Sequence, residues 1–414
     1  MDAVDFTKEI PSWLNQDLFD KAIQNYEADP QAKVNSFELV PALQPGQNMA
    51  SAVFRAAIKF TSKYSKDVKE LSVIVKTQPV TVDLPIMAHL KDTTLFETEI
   101  GVYTNILGRV QELITSVGYK DVMGPKLIYQ TMTPKPVIIL EDVSVNGFDT
   151  VIMKIHEDFE LSKLIVKYLA KFHAASFYLQ DEQKIDASYF NSTIFQFSDM
   201  AKLISMSSYE YLTTVMPEWD GFEKLVEPVK HFKDVFLEKN MKTYTPNSGP
   251  GAWNVLNHGD FLMKNLMYKM RKEGEGFEDF MMLDFQICTY ASPAIDLIYT
   301  LYNFVSDEDR IARYDEFLYT YHEQYVEALK KFGYLKQPPS LLDLQVEMMK
   351  NGNFQAHYVL MPYAFLIFDM TSLTLEDMAD GMKGMAIKVY NNERFRKTAK
   401  KELDYYLMKG YLGN

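Results

Sequence analysis

Three polar side chains stand close together in an otherwise apolar run, VLNHGDFLMKNLMYKM at residues 255–270: His258, Asp260 and Asn265. Asp260 and Asn265 have four residues between them, which matches the H-x-D-x-x-x-x-N arrangement of a phosphotransferase catalytic loop. The chemistry demands that spacing. One carboxylate must accept the proton of an incoming hydroxyl while an amide oxygen close by holds a metal bound to phosphate. Asn suits the second task because it ligates without adding a negative charge beside the base. Asp284, in MMLDFQ, ends a strand-like run and has no basic neighbour in sequence. Such a carboxylate is costly to bury unless a cation satisfies it, and Mg²⁺ bridging nucleotide phosphates would do so. Each piece alone has a plainer reading, HGD as a turn and an Asp after a strand as a helix cap. The specificity lies in the combination.

A phosphotransferase of this kind also needs a Lys on its third strand to hold nucleotide phosphates, and a helix Glu to orient it. LSVIVK supplies Lys76, on the same face as Ser72 and Ile74 by the period-two rule. The helical pattern of TLFETEIGVYTNILGRVQELI (94–114) offers two glutamates. Thr94 and Glu97 have the spacing of a capping box, which would occupy Glu97 at its own helix N-terminus. Glu99 shares an apolar stripe with Phe96, Val102, Tyr103 and Ile106, so it needs a partner, and Lys76 is the expected one. PGQNMAS (45–51) sits where a phosphate-covering loop belongs. Gly46 is its lone glycine, with Asn48 and Ser51 as side-chain donors, and the segment reads equally as a hairpin turn.

The remaining candidates point to structure. His173 lies on an apolar helix face with Leu169 and Phe172, which suits core hydrogen bonding. Asp296, in SPAIDLIY, fits a cap or brace for the loop around Asp260. The other histidines show no metal-ligand spacing. Cys288, the single cysteine, reads as a small buried hydrophobe and excludes an internal disulfide.

These residues must be positioned by a chain of 414 residues with a formal net charge of −13. No clustered basic face opposes that acidity, and RFRKTAKK (394–401) reads as a solvated helix face, so a nucleic-acid partner is not expected. The acidic N-terminus lacks a signal-peptide core. The most apolar stretch, 287–305, contains Pro293 and Asp296, so neither secretion nor a membrane span is expected. A cytoplasmic location follows from those readings. Strand candidates at 37–43, 51–60 and 71–77 form a meander, with two more at 125–131 and 136–140, the last ending in Glu141 and Asp142. Helices are expected at 159–179, 308–331 and 341–350, interrupted by strand-like runs around NVLNHGD, NLMYKM and 277–287. The sum is an α+β chain, with a small sheet-rich part before a larger helical one.

Together VLNHGDFLMKN, MMLDFQ, SPAIDLIY, LAKFHA, ILEDVS, FETEIGVY and PGQNMASAVFR resemble the ecdysteroid kinase-like family, within the choline and aminoglycoside kinase group. The resemblance runs from about residue 35 to about residue 330. It implies a bilobal protein-kinase-like fold, with an N-terminal lobe at 1–141 and a C-terminal helical lobe at 142–414. It also implies ATP-dependent, Mg²⁺-assisted phosphorylation of a hydroxyl on a small molecule, an ecdysteroid or a hydroxylated foreign compound. By matching position Asp260 would be the base, Asn265 and Asp284 the Mg²⁺ ligands, and Lys76 with Glu99 the phosphate-positioning pair. Ile139 to Val143, including Glu141, would form the adenine-facing hinge. Leu262 stands where family members usually carry Trp, and Gln47 where an acidic residue is common; the first puts the substrate preference in question.

Two other functions remain open on the sequence. A choline or ethanolamine kinase of the same fold would want an acidic and aromatic cage. A ligand-binding pseudokinase is disfavoured by the retention of Lys76, Glu99, Asp260, Asn265 and Asp284. The apolar density of 344–370 favours an apolar acceptor pocket over a cationic one, although a plain helical core explains most of it.

Overall fold

A computed structural model describes residues 7, 9–43, 51–80, 94–150, 158–191, 199–271 and 277–412. The chain folds as two compact units. The first comprises 1–112, 120–151 and 266–286; the second comprises 113–119, 152–265 and 287–414.

The first unit is built on an antiparallel sheet. Among its described residues five strands take the order β1-β2-β3-β5-β4: β1 Lys33–Pro41, β2 Ala52–Ser62, β3 Ser65–Thr77, β4 Leu127–Thr131 and β5 Val137–Glu141. Alternation decides which face is covered. In β2 Ala52, Phe54, Ala56, Ile58 and Phe60 are buried, and in β3 Val73 and Val75 point the same way. Helix α1 (Gln16–Glu27), which the sequence reading did not separate out, packs Leu18, Phe19, Ala22 and Ile23 onto this face. The opposite face therefore carries Arg55, Ser72 and Lys76. The helix expected over 94–114 is present but not uniform. It runs as α2 (Leu95–Val102), a wider π turn at Tyr103–Leu107, and α3 (Gly108–Ser116). Strands β6 (Phe148–Asp149), β8 (Leu266–Met270) and β9 (Phe277–Met282) form a second sheet in this unit.

The second unit is mainly helical. Helix α4 (Phe159–Asp181) starts at Asp158, whose side chain accepts from the amides of Glu160 and Leu161, and α5 (Asp199–Val215) and α6 (Val226–Thr243) follow it. Strand β7 (Val255–Asn257) pairs antiparallel with β10 (Thr289–Ala291), and α7 (Ala294–Asn303) follows, every residue of it buried. The helix expected over 308–331 is instead two helices, α8 (Asp307–Ala312) and α9 (Tyr314–Phe332). Arg313 leaves helical geometry between them, lays its guanidinium over the Phe159 ring and pairs with Glu316. Cys288 is buried. The apolar stretch 344–370 falls largely in the core, with Leu344, Met348, Phe354, Tyr358, Val359, Leu360 and Tyr363 buried. Among the described residues no helix is long and apolar enough to cross a membrane.

His357 shows how tightly this helical core is sealed. Its Nδ1 lies 2.8 Å from the Tyr209 hydroxyl and its ring stacks on Phe236. Burial pushes its pKa down to about 3. A histidine whose folded pKa is depressed favours folding above its unfolded pKa, and that contribution is lost as pH falls. Unfolding free energy should therefore drop between about pH 7.5 and about pH 5, with roughly 2 kcal/mol of the drop due to His357. Chemical denaturation of His357→Phe should show the pH dependence reduced by that amount; an unchanged dependence would refute the assignment.

Candidate active site

Lys76 sits near the end of β3, between Val53 on β2 and Ile138 on β5. It is 7% exposed, and its ammonium meets Glu99 Oε2 at 2.7 Å and Asp284 Oδ1 at 2.5 Å. Burial alone would lower the Lys76 pKa, but the two carboxylates outweigh it and raise the value, so the side chain stays charged. Glu99 is more deeply buried. Desolvation raises its pKa to about 7 against the opposing pull of Lys76. The expected capping box is absent: Thr94 makes no side-chain cap bond, and its backbone (φ −89°, ψ 22°) is not the extended form that an N-cap needs. Glu97 is exposed and Glu99 is the glutamate that faces Lys76.

Asp284 differs from its sequence reading in two ways. The strand ends at Met282 rather than running through it, and Asp284 adopts φ +67°, the left-handed region that Asp tolerates better than most residues. It also has a basic neighbour after all, Lys76, which lies 208 positions away in sequence. Phe285 packs edge-on against Tyr103, with centroids 5.4 Å apart.

Beyond β5, Asp142 caps a short 3₁₀ turn at Val143–Asn146. Its carboxylate accepts from Arg55 Nε at 2.8 Å and from the Ser72 hydroxyl at 2.6 Å, which ties the chain after β5 to β2 and β3. Burial pushes Asp142 up, but the hydrogen bonds from Ser144, Ser72 and Arg55 prevail and hold it below the usual carboxylate range. Glu141 accepts from the Lys126 amide, and the Val143 side chain packs with Phe148 and Met281. The Glu141 and Val143 side chains are thus both engaged within the first unit. Ser51 is buried directly before β2, while Gly46 and Asn48 lie outside the described residues.

In the second unit the loop after β7 is organised by a buried carboxylate. Asp296, at the start of α7, accepts the backbone amides of His258 at 2.6 Å and Gly259 at 2.9 Å. His173 Nε2 lies 3.2 Å from the same carboxylate, and its Nδ1 lies 2.8 Å from the Tyr321 hydroxyl. Burial holds His173 below the ordinary histidine range although Asp296 pulls it upward, so the ring is neutral and structural. Gly259 has φ +81°, and a Cβ there would stand 2.1 Å from the Ile287 carbonyl oxygen. Asn265 then folds back on Asp260, its carboxamide nitrogen donating to the backbone oxygen and to Oδ2, each at 2.8 Å. The amide fixes the carboxylate and turns its own oxygen away from it.

A family model described as ecdysteroid kinase-like matches residues 45–334. The chain belongs to that family. It is accordingly a nucleotide-binding phosphotransferase that takes an alcohol group as acceptor, with an α+β, protein-kinase-like fold. No curated protein matches it. Similar solved structures include an amicoumacin kinase in complex with AMP-PNP, Ca²⁺ and Ami, at 14% identity over 94% of each chain with a TM-score of 0.44. Another is the GDP complex of wild-type aminoglycoside 2'-phosphotransferase-IIIa, at 12% identity over 94% of this chain and 99% of that one, TM-score 0.38.

Membership of this family implies a divalent cation accompanying the nucleotide. Among the described residues no group of three His, Cys, Asp or Glu side chains could hold a metal by itself. In the second unit the Asn265 carboxamide spends its nitrogen on Asp260, which leaves its oxygen as the ligating atom; in the first unit the Asp284 side chain is 34% exposed. Mg²⁺ is commonly held by one or two such oxygens with substrate phosphate and water completing the shell.

Several contacts escaped the sequence reading: those of Arg55 and Ser72 with Asp142, and the close approach of Gly259 to Ile287. Gly259 is the one with a local signal, since a glycine between two chemically constrained residues often marks a backbone that a Cβ would obstruct. Gly259→Ala should cost at least about 2 kcal/mol of stability, because clash and left-handed strain add. Gly249→Ala is the control, with φ +88° but nothing within 4 Å of a Cβ; strain alone should cost it about 1 kcal/mol. Equal losses in chemical denaturation would show that the Ile287 contact does not constrain the loop.

Proposed function

We propose that the chain transfers the γ-phosphate of ATP, with Mg²⁺, to a hydroxyl of an ecdysteroid-like or foreign small molecule. The observation that carries this reading is the Asn265 amide clasping the Asp260 carboxylate. One oxygen of Asp260 is fixed by that bond, and the residue is left as an acceptor for a proton. Asp260 takes the hydroxyl proton as the oxygen bonds to the γ-phosphorus and the bond to the β-phosphate oxygen breaks, with ADP leaving; Lys76, oriented by Glu99, carries the charge of the nucleotide phosphates. By family position Asn265 and Asp284 would hold the cation, which would supply neutralisation of charge on the phosphate oxygens. The hinge at Glu141 and Val143 faces the adenine through its backbone. Because the apolar run at 344–370 is mostly core, the choice of an apolar acceptor rests on family membership and not on that run.

Nucleotide binding should be strongly cation-dependent. Calorimetry should show ATP affinity rising with Mg²⁺, and Asp284→Asn, which keeps a side chain tolerant of the left-handed backbone, should remove that gain. Affinity indifferent to Mg²⁺ in the parent protein would argue against phosphoryl transfer.

Asp260→Asn keeps shape and loses basicity. With an accepted hydroxyl compound, turnover should fall by roughly two to four orders of magnitude. Affinity for ATP and acceptor should change far less, since neither needs the base in order to bind. Mass spectrometry across ecdysteroids, choline and plant phenolics, reading an added phosphate, supplies both the acceptor and the assay. Parent-like turnover in Asp260→Asn would remove this residue from the mechanism.

A further inference from the structure

Asp142 uses both of its carboxylate oxygens, and the two face different parts of the first unit. Oδ2 accepts from Arg55 Nε on β2 at 2.8 Å and from the Ser72 hydroxyl on β3 at 2.6 Å. Oδ1 accepts from the Ser144 amide at 3.2 Å and from the Ser144 hydroxyl at 2.6 Å. Arg55 Nη2 also donates to the Ser144 hydroxyl, at 3.3 Å. One buried side chain thus clasps the 3₁₀ turn after β5 to two strands of the sheet. An Asn or Ser would cap the turn as well without a charge to satisfy, so the pairing with Arg55 calls for a further explanation.

The place of the clasp along β3 supplies one. Ser72 and Lys76 lie on the same face of that strand, four residues apart, a separation of roughly 13 Å. That interval suits a nucleotide lying along the strand, with its phosphates at Lys76 and its base at the Asp142 end. Val143 opens the turn, and a helical turn makes no use of its own first amides. Asp142 and Ser144 flank Val143, so the bonds between them fix the direction of its amide.

We propose that Asp142, clasped by Arg55 and Ser72, is a positioning residue for the nucleotide base: it aims the Val143 amide at a ring-nitrogen acceptor of the purine. The role rests on the phosphotransferase reading above and adds to it a base-reading end of β3. Lys76 holds phosphate whatever base is attached, whereas the clasp acts on the base alone.

The test uses the full chain and reads Kd by calorimetry for Mg²⁺ with AMP-PNP, Mg²⁺ with inorganic tripolyphosphate, and adenosine. Tm is recorded in parallel. Asp142→Asn keeps a cap for the turn and discards the charge that engages Arg55. It should weaken AMP-PNP binding roughly tenfold, the scale of one or two ordinary hydrogen bonds. Adenosine should lose by the same factor, while tripolyphosphate, which has no base, should stay within about twofold of the parent value. Arg55→Met, at a partly exposed side chain, should repeat that pattern and keeps the test open should Asp142→Asn fold poorly. The double variant should bind like Asp142→Asn alone, because both changes break one clasp. A merely structural role would lower Tm and weaken AMP-PNP and tripolyphosphate alike. Equal losses on those two probes, additive losses in the double variant, or parent-like AMP-PNP binding in both single variants would each overturn the role and leave the phosphotransferase reading in place. A parent protein that binds neither AMP-PNP nor tripolyphosphate with Mg²⁺ would overturn that reading, and the role of Asp142 with it.

Discussion

A lysine ammonium cannot be buried alone. In an apolar setting it would lose its proton or cost several kcal/mol, so the chain must bring carboxylates to it. Lys76 is almost wholly buried and keeps its charge, and the organisation of the first unit follows from that requirement. Strand parity turns Val73 and Val75 toward α1 and leaves Lys76 on the other face. Helix α2 must then carry a glutamate inward, and the chain beyond β9 must turn sharply enough for Asp284 to reach the same ammonium. That turn is the φ of +67° at Asp284. The pair is not symmetric. Lys76 gains from two acids, whereas Glu99 has one cation and a large desolvation cost, which is why its value climbs to about 7.

The loop around Asp260 solves the opposite problem, a buried anion, by other means. Asp296 is satisfied mainly by dipoles, the amides of His258 and Gly259, together with a neutral His173. Backbone amides aimed at a carboxylate hold the loop rigidly without importing a lysine or arginine. Such a cation would compete with Asn265 for the Asp260 carboxylate. The loop that carries Asp260 is thus held by dipoles, with the Asn265 amide and not a cation on its carboxylate.

What was legible in the sequence is what chemistry ties to local spacing. The interval from Asp260 to Asn265, the parity of Lys76 in its strand and the incongruous Glu99 in an apolar stripe can all be read within one element. Asp284 was found as a type but not as a partner, because the ammonium it meets is supplied by another strand far away in sequence. Thr94 misled for a related reason: the motif spacing is right, but the backbone there is not extended and the cap cannot form. The helix break at Arg313 is a packing decision, made by a ring on α4 that no local pattern announces. The pairing of Arg55 with Asp142 stayed hidden because a strand arginine and a post-strand aspartate gain meaning only from each other.

The distance in sequence between Asn265 and Asp284 has its own physical origin. Asn265 is the last residue of its segment in the second unit, and Leu266 begins a hairpin that belongs to the first. In that hairpin Leu266 pairs with Met282, so the strands that open after Asn265 and close before Asp284 are locked in register. Adding paired residues far from that closing pair would lengthen the interval without altering the register at Leu266 and Met282. A one-residue slip there would reverse the faces of every side chain in one strand and displace the turn that sets Asp284. The element that must be conserved physically is therefore the closing pair and the left-handed turn after it, not the number of residues in between.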